Sequence, residues 1–399
     1  MNAESIRYSL RNLNHRKGRS FLTVFSILVG IATIFIFISF GYGLYNYTDS
    51  FTTGSSADKV MIMAKGTGAP GMDDTFKITD DDLRVVERAG GVYEATGAYY
   101  DTVQVERRSE LKYTFLVSYD PKAPLLMDIF GVGVEEGRLL LPGDNGVVLG
   151  YNYLLDGKIF DKGLELNDVV EVNGKKLKTV GFMESIGNPA DDGQVYVTNE
   201  MFLEIFPDKD TYAEIIARID LDDIDRAVEN IEKGLRKHRD QEEGKEDFYV
   251  QSFEDMIESF SGAINVIIGF VILIAFISVL VSAINTANTM ITSVLERYKE
   301  IGILKAIGAR NSEIFGIFLF ESAFLGFVAG ALGVLLGWGA TSLAGSILQS
   351  VGFGFLAPYY SFWLFTSLIL FAVVTGAVSG VIPAVRASKT NVVDALRYE

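Results

Sequence analysis

The stretch LERYKEIGILKAIGARNSEI, residues 295–314, lies between two long apolar segments. Its charged residues, among them Glu296, Arg297, Lys299, Glu300, Lys305 and Arg310, make it too polar for the interior of a bilayer. Leu295, Tyr298, Ile301, Leu304 and Ile307 recur at three-residue steps, so the spacing predicts a short helix with one apolar stripe and charged remaining faces. Gly308 suits the turn that ends such a helix. Ser312 suits the cap of the next one, and Glu313 its positive end. A hairpin of this kind either rests at the lipid interface or docks a soluble partner, and spacing alone does not choose between them.

Moving outward, four stretches reach the roughly 20 apolar residues a spanning helix needs. They are residues 21–43, about 264–288 (within a segment 261–290 that includes a stalk extension), 314–343 and 362–383. The first is too long for the apolar core of a cleaved signal peptide, so it is read as a retained helix. Lys and Arg cluster before it (Arg7, Arg11, Arg16, Lys17, Arg19), in the hairpin (Arg297, Lys299, Lys305, Arg310) and after the fourth span (Arg386, Lys389, Arg397), whereas the loop 344–361 has none. The positive-inside rule then predicts a cytoplasmic segment 1–20, a cytoplasmic hairpin 291–313 and a cytoplasmic tail 384–399. The chain is predicted to reside in the cell membrane, with residues 44–260 facing outward as one large extracytoplasmic domain.

The charge divides along the same line. The chain of 399 residues carries a net charge of -16. Residues 44–260 hold 44 acidic and 23 basic side chains, leaving 7 and 12 for the rest. An acidic domain on a basic-flanked anchor argues against nucleic acid as a partner, since phosphates demand a concentrated basic face. A mean hydropathy of +0.26 fits a mixture of membrane and aqueous parts. The chain has no cysteine, which excludes disulfides, thiolate catalysis and cysteine-ligated zinc. His15 and His238 stand far apart and are read as solvated side chains rather than metal ligands.

Within residues 44–260 the pattern is mixed α/β. TDDDLRVVERAGG (79–91) predicts a helix with a capping box of Thr79 and Asp82, ended by Gly90 or Gly91. VVEVNGKKLKTVGF (169–182) alternates about Asn173-Gly174, a strong hairpin signal. QVYVT and AEIIARI predict strands, DIDRAVENIEKGLRKHRD an amphipathic helix, and DQEEGKED (240–247) a linker. The acidic runs MDDT, TDDD and LDDID lack the ligand alternation of a calcium loop and are read as solvated surface. No Ser-His-Asp set, HExxH or carboxylate pair is evident. Ser252 and Asp255 form a second capping box, and the helix they start meets no proline before Pro358. It is predicted to run from 253 to 288, about 54 Å. That exceeds the roughly 30 Å of hydrocarbon, and the excess is expected to stand out as a stalk.

The residues 296–337 resemble the pattern of MacB/FtsX-type ABC-transporter permeases. The features that carry the likeness are Glu296-Arg297, Glu300-Ile301-Gly302, Lys305 and Gly308-Ala309, followed by a glycine-rich span. IRYSLRNLNHRKGRSFLTVFSILVGIA (6–32) is similar to that family's amphipathic N-terminal helix and first span. IPAVRASKTNVVDALRYE (382–399) is similar to its tail, with Val392 where proline is common and Asp394 in place of Glu. Residues 135–154 and 172–185 resemble the MacB-type periplasmic core domain. The resemblance implies a membrane protein of four transmembrane α-helices with a large mixed α/β extracytoplasmic domain between helices 1 and 2. It also implies a second permease copy (a homo- or heterodimer) and a cytoplasmic ABC ATPase subunit that docks on the hairpin as a coupling helix. ATP and Mg would sit on that partner, because no P-loop occurs here: the Gly-Lys pairs at 157, 174 and 244 are followed by Ile, Lys and Glu.

The resemblance further implies mechanotransmission, in which ATP-driven motion is carried to the outer domain. An extracytoplasmic substrate or partner would receive it. An FtsX-like regulator that relays motion without transport is the alternative, and an ATP-independent receptor a more distant one. Two intramembrane features are read as packing. The pairs Gly326/Gly330 and Gly333/Gly337 allow close helix approach. Glu321 must be protonated or paired inside the third span, with passage of a proton or substrate the competing role.

Overall fold

The computed structural model describes residues 17–52, 56–65 and 77–397. Residues 1–16 of the N-terminal helix expected over 1–20, the acidic run 72–75 and residues 398–399 lie outside the described residues. In chain order, α1 (Lys17–Thr52) leads to β1 (Lys59–Ala64), α2 (Asp80–Glu87), β2 (Val92–Ala98), β3 (Tyr100–Arg107), β4 (Glu110–Tyr119) and α3 (Leu125–Phe130). Then come β5 (Val134–Gly137), β6 (Gly146–Leu149), β7 (Val169–Val172), β8 (Lys175–Met183), β9 (Val195–Thr198), α4 (Asn199–Ile205), β10 (Glu214–Ile219), α5 (Ile224–His238) and β11 (Phe248–Ser252). Five helices finish the chain: α6 (Phe253–Glu296), α7 (Tyr298–Ala306), α8 (Asn311–Ser350), α9 (Phe362–Ser388) and α10 (Val392–Arg397).

Two compact units emerge. One draws on residues 44–262 and 348–356, the other on 1–43, 263–347 and 357–399. The first contains two sheets. The smaller has strand order β11-β1-β10-β2, antiparallel throughout. With α2 after β1 and α5 after β10, it is a split βαβ arrangement of the ferredoxin-like kind. The residues between β2 and β10 are an insertion into it. They form a larger sheet, β5-β8-β6-β9-β4-β3-β7, whose long strand β8 pairs with β7 as well as with β6. That double pairing closes β8, β6, β9, β4, β3 and β7 into a ring, with β5 appended to β8 as an edge strand.

Alternation along each strand sorts the side chains into cores. Val105, Leu116, Leu149, Val170, Phe182 and Val197 fill the inside of the closed sheet. Val60, Ile62, Ile215 and Ala217 face Val86 of α2 and Ile231 and Leu235 of α5. Ile216 and Ala98 point to the opposite face, where Tyr119, Tyr196, Leu125 and Phe253 lie. The small sheet is therefore buried on both sides.

The capping box at Thr79 and the Asn173-Gly174 turn hold. Thr79 donates to the Asp82 carboxylate from its backbone N–H (2.8 Å) and its hydroxyl (2.9 Å) at the start of α2. Asn173 and Gly174 have φ of 46° and 82° and join β7 to β8. α2 stops at Glu87, earlier than the glycines, and Gly91 (φ 94°) instead turns the chain into β2. The acidic run 240–247 is a correction: it is no linker. Arg239 binds both oxygens of Asp247 at 2.9 Å and reaches Asp82 at 2.6 Å, Arg236 meets Glu246 at 3.0 Å, and β11 then joins β1. Glu246 and Asp247 are held by fixed arginines, so the end of the loop is part of the unit.

The second unit is helical. Among the described residues four helices, including α6, α8 and α9, are long and apolar enough to cross a membrane. Serines and small residues let them approach: the Ser26 and Ser282 hydroxyls are 2.6 Å apart, and a Cβ on Gly30 would lie 3.0 Å from Val279. α8 continues to Ser350 and α6 to Glu296, both beyond the spans read from hydropathy. Neither extension contains a proline, and Gly345 in that of α8 remains helical.

Candidate functional site

Between α6 and α8 the chain makes the hairpin whose charge first set it apart. Ser252 and Asp255 start α6 as expected, the hydroxyl accepting the Asp255 N–H at 3.0 Å. α6 then runs 44 residues, about 66 Å of helix. It breaks at Arg297, with φ -108° and ψ 16°. α7 follows, and the Ala309 N–H donates to the Leu304 carbonyl at 3.0 Å while Gly308 takes φ 106°. This is the glycine turn that the sequence predicts. The cap of α8 is a correction: the Arg310 N–H donates to Glu313 at 2.9 Å, so Arg310 and not Ser312 precedes the helix.

The apolar stripe is not buried as one strip. Ile301 is 2% exposed, Tyr298 and Leu304 are half-buried, and Leu295 and Ile307 are 63% and 78% exposed. The reason is geometric. A three-residue step on a 3.6-residue helix drifts by about 60°, so five such positions sweep around most of the cylinder. Ile301 packs with Met290, Val294, Ile314 and Phe318. The exposed apolar side chains Leu295, Ile303, Ile307 and Val393 stand among charged neighbours.

The polar residues divide in two. Glu296 and Glu300 lie on the surface. Arg297 turns inward and is 5% exposed, with its guanidinium 3.2 Å from Glu321 (also 5% exposed), 3.4 Å from Glu300 and 5.2 Å from the centre of the Phe318 ring. A buried charge requires such a partner. Lys305 donates to the Ser388 carbonyl (2.9 Å) and the Thr390 carbonyl (2.7 Å), closing the end of α9. Gly302 is buried, and a Cβ there would meet that of Ala395 in α10 at 2.6 Å. Ala309 is half-buried beside the Ile301 cluster.

Further along α8, Gly326 and Gly330 lie against Ala372 of α9. Gly333 faces the Leu28 carbonyl of α1 (2.9 Å from an added Cβ), and Gly337 faces Phe35 (2.9 Å). Sequence reading missed Gly376 and Gly380, which receive Ser322 from the α9 side. Their four-residue spacing was a third signal of the same kind. It also missed the roles of Ser388, Thr390 and Ala395, which no local pattern marks. Among the described residues no group of three or more His, Cys, Asp or Glu could hold a metal ion.

A membrane permease with an extracytoplasmic α/β segment is the class that these features define. Residues 20–233 match the MacB-like periplasmic core domain, and residues 272–392 match the FtsX-like permease C-terminal domain. The chain is 31% identical to the ABC transporter permease MJ1507 of Methanocaldococcus jannaschii, over 99% of this chain and 98% of that one. It is 25% identical to the permease YknZ of Bacillus subtilis, over 99% of each. It is also 25% identical to the macrolide export ATP-binding/permease protein MacB of Neisseria gonorrhoeae, over 99% of this chain and 61% of that protein. The extracellular domain of YknZ has a solved structure similar at a TM-score of 0.39 and 14% identity, covering 48% of this chain and 99% of that one. The periplasmic region of MacB from Actinobacillus actinomycetemcomitans gives 0.43 and 14%, covering 52% and 95%. The chain belongs to the MacB/FtsX-type ABC-transporter permeases.

Proposed function

We propose that this permease couples ATP hydrolysis on separate cytoplasmic ATPase subunits, which hold ATP and Mg, to motion of the extracytoplasmic domain in an export or extraction complex. The observation that carries the reading is α6: one helix starts at the edge of the small sheet and ends at the charged hairpin, with no break between residues 253 and 296. A continuous helix transmits displacement along its axis because each turn is hydrogen-bonded to the next. The hairpin is the docking element, with Glu296, Glu300 and the exposed Leu295, Ile303 and Ile307 as its outward surface. In this reading both termini lie in the cytoplasm and residues 44–260 outside, a topology that the Lys and Arg distribution supports.

A second permease copy completes the assembly. Ile267, Phe270, Ile274, Ile277, Val281 and Ile284 are all more than half exposed on α6. They alternate three and four residues apart, the spacing of a helix-to-helix seam.

The test is purification with the partner ATPase. ATP turnover is measured with and without the permease, then with Glu300→Ala and Gly302→Leu. Both variants should uncouple the complex while the outer domain stays folded. Unaltered binding and turnover would count against the docking role. If turnover and domain motion stay coupled but no lipid, peptide or drug crosses the bilayer, the chain is an FtsX-like relay to an external partner.

A further inference from the structure

α7 has nine residues, too few to hold a helix by local bonding, so its position is set by what it packs against. Two polar contacts and one close approach do this. At its start, Arg297 reaches Glu321 on α8 at 3.2 Å, with both side chains nearly excluded from solvent and the guanidinium over Phe318. At its end, Lys305 donates to two carbonyls where α9 stops, at 2.9 and 2.7 Å. Between them Gly302 touches Ala395 of α10 so closely that a methyl group would not fit.

The geometry points to a clamped foot: Arg297 and Lys305 are positioning residues that fasten α7 to α8 and α9, so the hairpin moves with these helices and not as a lever hinged on α6 alone. Buried ion pairs and ammonium–carbonyl bonds are strong only at short range and in fixed directions. A displacement of α7 must therefore carry Glu321 and the end of α9 with it, or break the clamps. Force applied to the hairpin enters the bundle through three helices at once. The coupling consequence rests on the ATPase-driven reading above; the clamp itself does not.

The absence of cysteine makes the clamp directly testable. A spin label at Ile303→Cys, on the exposed side of α7, reports its mobility in the full chain reconstituted in lipid vesicles. A label at Phe327→Cys on α8 is the control for the rest of the bundle. Arg297→Met, Glu321→Gln and Lys305→Met should each raise mobility at 303 and leave 327 unchanged. The swap Arg297→Glu with Glu321→Arg, and separately Lys305→Arg, should bring 303 back toward the original value. A residue that merely fills space would not be rescued by a reversed charge. If one variant loosens both labels it is unfolding, and Glu321→Gln, which keeps the size of the side chain, then decides.

Unchanged mobility at 303 in all clamp variants would overturn the proposal, as would failure of both rescues. In the complex with the ATPase, cut clamps should preserve binding but lower permease-dependent ATP turnover about tenfold, the range expected for residues that couple sites without touching ligand. Full turnover with loosened clamps would also overturn it. Failure of any ATPase to bind the unaltered chain would instead sink the functional reading and leave the mobility result standing.

Discussion

At the scale of single residues, Glu214 on β10 sets a pH dependence. Burial pushes its carboxyl from the usual 4.5 up to about 7. Between those values the folded chain keeps a proton that the unfolded chain has lost. Its contribution to stability is thus fully present below pH 4.5, falls as pH rises toward 7 and is gone above it. Glu214→Gln should flatten the stability profile of the chain between pH 5 and 8 and raise stability at pH 8, read by thermal unfolding. A variant with the original slope would show that another group sets it. The glycines of α8 give a second residue-level expectation. Gly326→Val places a methyl against the Ala372 carbonyl and should cost about 1–3 kcal/mol of stability in detergent. Gly339→Ala, with nothing within 4 Å of the new Cβ, should cost nothing measurable.

Elements raise a different question, because α6 leaves most of its apolar surface uncovered. Only 17% of its most apolar window is buried, against 44% for α1 and for α8. Lipid would tolerate that, but a regular three-and-four spacing is what a second helix reads. Single cysteines at Ile274 or Ile277 should therefore form disulfide-linked dimers under mild oxidation in membranes, whereas Ala275→Cys, 2% exposed, should not. Equal crosslinking at all three positions would argue against a defined seam. The hairpin β7–β8 illustrates an element set by local chemistry, since Asn173-Gly174 turns it with positive φ at both positions.

For the whole molecule, the central expectation is topological. A cysteine at Tyr113, 66% exposed in the α/β unit, should react with a membrane-impermeant maleimide on intact cells. One at Ile307, 78% exposed in the hairpin, should react only after permeabilisation. The reverse pattern would invert the proposed direction of force. The inserted closed sheet matters at this scale too. It is built between β2 and β10, so the small sheet assembles from segments far apart in the chain. Such long-range pairing slows folding.

Much of this was legible in the residues themselves. The four apolar stretches, the capping boxes at Thr79 and Ser252, the Asn173-Gly174 turn and the Gly308 turn are local statements. Hydrophobic length, a cap or a required φ involves only neighbours in sequence, so one chain suffices to read it. Tertiary structure alone decided that Arg297 faces Glu321, that Lys305 closes α9, that Gly302 sits on Ala395 and that the run 240–247 is bound by Arg236 and Arg239. Each of those contacts joins residues whose charges or sizes are ordinary taken singly. A charged side chain looks the same in sequence whether it meets water or a buried partner, and only packing brings that partner within reach.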